Sequence, residues 1–232
     1  MLRYLQTTIT YGLIFQQEGN LEAIGLIGYT NADWACDVDD RKSIGAYCIY
    51  LINNLISWSS KKQVVIAKSN TESEYRALSS TSSEISWLQS LFSEFNIVKL
   101  PTSVLWCDNQ SAGDLARNPV FHSKSKHIEL DVHYIRDKVL KGELNIKYIP
   151  SKEQVVDVLT KPLSFPKFSY FYSKLNVINK PLSLREDVKE AHISNLDNGA
   201  EDSSSCSQLI QVAEKDYQLS SYCYEVTRAR IS

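Results

Sequence analysis

Residues Ala23 to Lys62 read AIGLIGYTNADWACDVDDRKSIGAYCIYLINNLISWSSKK, and three strands are legible in them. AIGLIGYTNADWA is apolar and β-prone, SIGAYCIYLI follows the turn-rich DVDDRK, and LISWSSKK follows the Asn53-Asn54 turn. QVVIA, immediately after, has the composition of a short fourth strand. Such short connections join neighbours, so the segment predicts an antiparallel meander.

Outward from this stretch the period changes. From Thr71, the residues Tyr75, Leu78, Ile85, Leu88, Leu91, Phe92 and Phe95 recur at three- and four-residue steps, which predicts a long amphipathic helix. Pro101 closes the loop after it, SVLWC reads as a short buried strand, and NQSAGDLARN opens a short helix directly after Asp108. HIELDVHYIRDKVLK is helical in spacing, ELNIKYIP alternates like a strand, and SKEQVVDVLTKPL has helical spacing up to Pro162. The resulting order, three or four strands, then α-β-α-α-β-α, predicts an α/β fold: a mixed sheet flanked by helices.

Composition narrows the function classes. A chain of 232 residues, 43% hydrophobic, suits one domain with extensions. A formal net charge of -2 gives no global basic field, so any nucleic-acid contact has to come from local Lys and Arg clusters. Five cysteines without a CxxC pair indicate neither a disulfide framework nor a zinc knuckle, and an intracellular setting is expected, cytoplasmic or nuclear being left open. MLRYLQTTITYGLIFQQEG carries polar residues every few positions, so neither a signal peptide nor a membrane span is expected. Beyond about Asn179, LDNGAEDSSSCS has linker composition and the last stretch only a weak helical period, which predicts a loosely ordered tail.

Hydrolysing a phosphodiester with two divalent metals needs carboxylates converging from several elements, because hard cations want oxygen ligands that bracket the attacking and leaving oxygens. Asp33 near the end of the first strand, Glu72 and Glu74 at the start of the long helix, Asp108 after the buried strand and Asp157 before Lys161 are so placed. Any one acid at a helix start is ordinarily a cap or a dipole partner, and only the set of four elements points to metal chemistry. Trp34, Trp58, Trp87 and Trp106 sit at core-like positions, so packing is their expected role.

The segments GYTNADWACDVDDRKSIGAY, ISWSSKKQVVIAKSNTESEYRAL, VLWCDNQSAGDLARNPVFHSKSKHIELDVHYIR and QVVDVLTKPL closely resemble, in order and spacing, the ribonuclease H domain of copia-type (Ty1/copia) retrotransposon polyproteins. The resemblance covers about residues 1–177. LRYLQTTITYGLIF, within the first 22 residues, looks like the connector that follows the family's reverse transcriptase. This divides the chain into a connector at 1–22, a ribonuclease H-like domain at 23–177 and a tail at 178–232. The resemblance implies a five-stranded ribonuclease H fold, two Mg²⁺ or Mn²⁺ ions, cleavage of the RNA strand of RNA–DNA hybrids, and a reverse transcriptase neighbour in the parent polyprotein.

Carried over residue by residue, Glu74 with Ala77 matches the family's helix glutamate, leaving Glu72 spare. Asp108 of CDNQSA matches the carboxylate after the fourth strand, and Asp157 of VVDVLTK the aspartate of the last helix. The first strand departs: the family's DADWAGD is here NADWACD, with Asn31 at the metal-bridging aspartate. An amide contributes no charge, so catalysis is expected to fall by orders of magnitude. Asp33 should face the same side as Asn31 but about 7 Å farther along the strand. Cys36 replaces a glycine, which matters only if that turn needs a positive φ.

The basic stretch holding Lys124, Lys126, His127, His133 and Arg136 coincides with the family's KHI…H…R pattern and would grip hybrid phosphates, the alternative being a solvated helix face. His127 and His133 are poorly spaced to share a zinc. Against the nuclease stands a second reading, a non-catalytic nucleic-acid-binding or polyprotein-interaction remnant, which Asn31 favours.

Overall fold

The computed structural model describes residues 10–16, 25–95, 100–117 and 128–179. Its strands are β1 (Tyr11–Leu13), β2 (Leu26–Asp33), β3 (Ile44–Leu51), β4 (Asn54–Lys62), β5 (Ser103–Cys107), β6 (Leu144–Tyr148) and β7 (Val177–Asn179). The helices are α1 (Asn70–Glu94), α2 (Gln110–Arg117), α3 (Glu129–Leu140), α4 (Asp157–Thr160) and α5 (Phe165–Lys174), with a 3₁₀ turn at Ser151–Glu153. Five strands form one sheet in the order β4-β3-β2-β5-β6. The meander β2-β3-β4 is antiparallel, as its short turns require, whereas β5 and β6 join parallel to β2 because helices intervene.

Each face of the sheet has its own core. On one side α1 packs across β2, with Leu26, Ile49, Leu78, Ile85, Leu105, Val132, Ile135 and Ile146 in a single cluster. Gly28 on β2 admits α1 at this point: a Cβ there would stand 2.8 Å from Leu105 Cδ1 and 3.0 Å from Ile85 Cδ1. On the other side Ala46, Cys48, Tyr50, Val155, Val156, Phe171 and Leu175 seat the short helices α4 and α5. This mixed α/β sheet between helices is the predicted class.

Several local predictions differ. QVVIA is not a strand: the β3–β4 ladder ends at the Ile44–Lys62 pair, with one further bond from the Gln63 N–H to the Ser43 carbonyl, and Val64, Val65 and Ile66 are exposed on the approach to α1. The last predicted helix is broken into the 3₁₀ turn and α4. Trp34, Trp58 and Trp87 are exposed, not core, and Trp106 is half-buried beneath Lys147, whose Nζ is 5.5 Å from the ring centroid. Trp58 lies on an edge strand and Trp87 on the outer side of α1, where periodicity does not distinguish face from rim. Two elements go beyond the expected set: α5, which opens after Ser164 with Pro166 in its first turn, and an antiparallel ribbon of β1 with β7. That ribbon pairs β1, within the expected connector, with β7 at the end of the expected ribonuclease H-like domain. The predicted tail lies almost wholly outside the described residues.

Candidate metal centre at the carboxyl ends of the central strands

Because β2 and β5 run parallel side by side, their carboxyl ends open at the same edge of the sheet, where ligands of open α/β folds bind. A cleft of about 620 Å³ lies there, lined among others by Asn31 and Asp33 of β2, Glu74 of α1, Asp108 after β5, Tyr148 at the end of β6, and Lys161. As strand alternation predicts, Asn31 and Asp33 share this side.

Glu74 is delivered by the start of α1. Ser69 caps the helix, its Oγ accepting the Glu72 N–H at 3.2 Å. Glu72 turns aside, accepting the Lys68 N–H at 3.0 Å and pairing with Arg76 at 2.9 Å. Glu74 points to the sheet instead, only 3% exposed, with Oε2 accepting the Ala32 N–H at 3.1 Å. Burial, then the Asp108 charge, pushes its carboxyl up to about 8 against the opposing pull of that N–H and of Lys161. Such a group is held near neutrality in proton affinity and ionises readily when a cation approaches. The ligand atoms of Glu74, Asp108 and Cys107 lie within 4.8 Å of one another, the one such set of three among the described residues.

Asp157 is differently placed. It is 0% exposed, and its Oδ1 accepts from Asn31 Nδ2 at 2.6 Å and pairs with Lys161 Nζ at 2.8 Å, while Oδ2 takes Lys167 Nζ at 2.8 Å. Its charge still acts on Glu74 and Asp33, yet its carboxylate stands outside the close set. Asn31, 2% exposed, also donates to Thr160 Oγ1 at 3.1 Å, so acceptors on both contacts fix its amide as donor. Asp33 is half-buried, and burial raises its carboxyl despite Lys161 nearby. Burial pulls the Lys161 ammonium down, but Asp157, then Asp108 and Asp33, outweigh this and its pKa is raised. The positive φ of this turn falls on Ala35, at 51°, so no glycine is demanded at Cys36.

Lys124, Lys126 and His127 lie outside the described residues. His133 is exposed on α3, 3.9 Å from Glu129, and Arg136 donates Nε and Nη2 to the Leu115 carbonyl at 3.2 and 3.0 Å, tying α3 to the end of α2. Neither lines the cleft. The parts played by Lys161, Lys167 and Cys107 go beyond the sequence-based expectations. Lys161 follows Asp157 by one turn, a spacing that signals an ion pair, but Lys167 belongs to a helix that periodicity does not announce.

A mixed five-stranded sheet in this order with helices on both faces is a ribonuclease H-like α/β fold. No family model matches the chain. It is 46% identical over 183 residues to the Retrovirus-related Pol polyprotein from transposon RE2 of Arabidopsis thaliana, and 45% identical over the same length to that of transposon RE1. It is 39% identical over 168 residues to the Pol polyprotein from transposon TNT 1-94 of Nicotiana tabacum. The chain is thus homologous to one segment of the Pol polyproteins of Ty1/copia-type retrotransposons. The matches take in 79% of this chain for RE2 and RE1 but span only 12% of either polyprotein. Among solved structures, LC11-RNase H1 in complex with RNA/DNA hybrid aligns at 16% identity over 58% of this chain and 93% of that one, with a TM-score of 0.45. Among the described residues no helix is long and apolar enough to cross a membrane.

Proposed function

We propose that this chain is a retroelement-derived ribonuclease H-like domain that binds RNA–DNA hybrids and cleaves the RNA strand with divalent metal, at a rate much reduced by Asn31. The observation that carries the reading is the meeting of Glu74 and Asp108, from elements far apart in sequence, in one open cleft. Their oxygens suit Mg²⁺ or Mn²⁺, which when bound activates water and stabilises the leaving oxygen. Asp33 and Asn31 line the same cleft, and Asp157 stands behind it as an electrostatic neighbour. The basic stretch with Lys124, Lys126, His127, His133 and Arg136 would grip the hybrid's backbone. The working context would be intracellular, beside a reverse transcriptase domain of the parent polyprotein.

The test is a labelled RNA–DNA hybrid incubated with the purified chain and Mn²⁺ or Mg²⁺. Slow, metal-dependent cleavage of the RNA strand is expected, abolished by Asp108→Asn and raised by Asn31→Asp. Cleavage that persists unchanged in Asp108→Asn would remove the cleft from the chemistry. The contact between the Asn31 amide and Asp157 favours a second reading, a binder without catalysis. Hybrid binding with no cleavage in either the native chain or Asn31→Asp would select it.

A further inference from the structure

We propose that the cleft of this chain is built for one divalent cation, held by Glu74 and Asp108 beside the Cys107 thiol, and that Lys161 and Lys167 occupy Asp157 in place of a second. The inference rests on reading the cleft as a metal site, and it disagrees with the two-ion set that the family resemblance implies.

The disagreement begins with the oxygens of Asp157. A carboxylate offers about four lone-pair directions. Three are already used, two by ammonium groups at 2.8 Å and one by the Asn31 amide at 2.6 Å. With Asp157 wholly buried, no open direction faces solvent. The cleft itself presents Lys161, not Asp157, along this wall. A cation seeking Asp157 would have to displace that ammonium.

Charge points the same way. In a site that binds a second dication, the wall must be net negative. Here one carboxylate, Asp157, faces two ammonium groups, Lys161 and Lys167, and the residue beside it, Asn31, is neutral. With Asp33, which the charges of Lys161 and Asp157 both reach, this wall is about neutral and not net negative. The other end keeps Glu74 and Asp108 together. Lys167 has a second contact besides Asp157, its Nζ lying 5.4 Å from the centroid of the buried Phe171 ring one turn on.

Mn²⁺ titration of the full chain, with the free ion counted by electron paramagnetic resonance and folding followed by circular dichroism, tests this. The native chain should bind one ion, and Glu74→Gln should bind none. Asp157→Asn should keep that one ion, where loss of a true ligand would abolish it as Glu74→Gln does. The double variant Asn31→Asp/Lys161→Met turns the wall negative and should bind two ions. Two ions on the native chain, or none on folded Asp157→Asn, overturns the inference while leaving the metal-dependent reading intact. No ion on the native chain overturns both. Should Asp157→Asn fail to fold, the native and double-variant counts decide between one and two.

Discussion

Asn31→Asp should make the metal-free protein less stable while making it more responsive to metal. The amide nitrogen now sits 2.6 Å from Asp157 Oδ1 and 3.1 Å from Thr160 Oγ1. Substitution puts a carboxylate oxygen in its place. The lost hydrogen bond to a charged acceptor is worth about 1.5–3 kcal/mol. Two unit charges at that separation would repel by about 6 kcal/mol at an effective dielectric of about 20. Lys161 and Lys167 offset much of the repulsion, and a proton shared between the carboxylates relieves more of it at low pH. A net loss of roughly 3 kcal/mol at pH 8 results, or about 6–12 °C in Tm for a domain of this size, shrinking toward pH 5. Thermal melts in chelator at both pH values measure it, and millimolar Mn²⁺ should return most of the loss by binding only the folded state. A metal-free variant as stable as the native chain at pH 8 would show that the Asn31 amide does not make the contact on which this argument depends.

Glu74 gives a pH signature of the native chain. Its carboxyl titrates at 4.5 ordinarily and at about 8 in the fold, so its contribution is complete below pH 4.5 and is lost as pH rises to about 8. At about 1.4 kcal/mol per pH unit the loss is on the order of 4–5 kcal/mol as an upper bound. Urea midpoints between pH 5 and 8.5 in chelator should fall accordingly, and Glu74→Gln should flatten the profile; an equally steep profile in the variant would assign the dependence elsewhere. Gly28→Ala should cost about 1–3 kcal/mol, because its Cβ meets Leu105 and Ile85 inside a packed layer. An unchanged midpoint would mean the layer has room that the structure denies it.

Period and turns carry what is legible in the sequence. The meander of β2 to β4 is visible because its strands are apolar and β-prone and turn-rich residues separate them. α1 is visible because apolar residues recur along it for 25 residues. The acids of the cleft are not separable from ordinary helix caps by spacing alone, and it takes the resemblance to single out Glu74 from Glu72. The structure adds the physical distinction, one bound to Arg76 and the other turned to the sheet. QVVIA looks like a strand because propensity carries no knowledge of whether a partner exists. The tryptophans look like core because hydrophobicity alone does not say which side of an edge strand or helix meets solvent. The neutralisation of Asp157 is hidden because one of its two partners arrives from α5, whose spacing near two prolines suggests no helix.

The narrow ribbon of β1 with β7 sets Tyr11 opposite Asn179 and Leu13 opposite Val177. Where the backbone comes in and where it goes out are thereby stitched together at a single corner. A module with paired ends can sit inside a much longer polypeptide as a side loop, adding almost nothing to the distance between its upstream and downstream neighbours. Cutting such a module at Ala23 would strip away one half of the stitch and leave the other with its backbone groups unpaired.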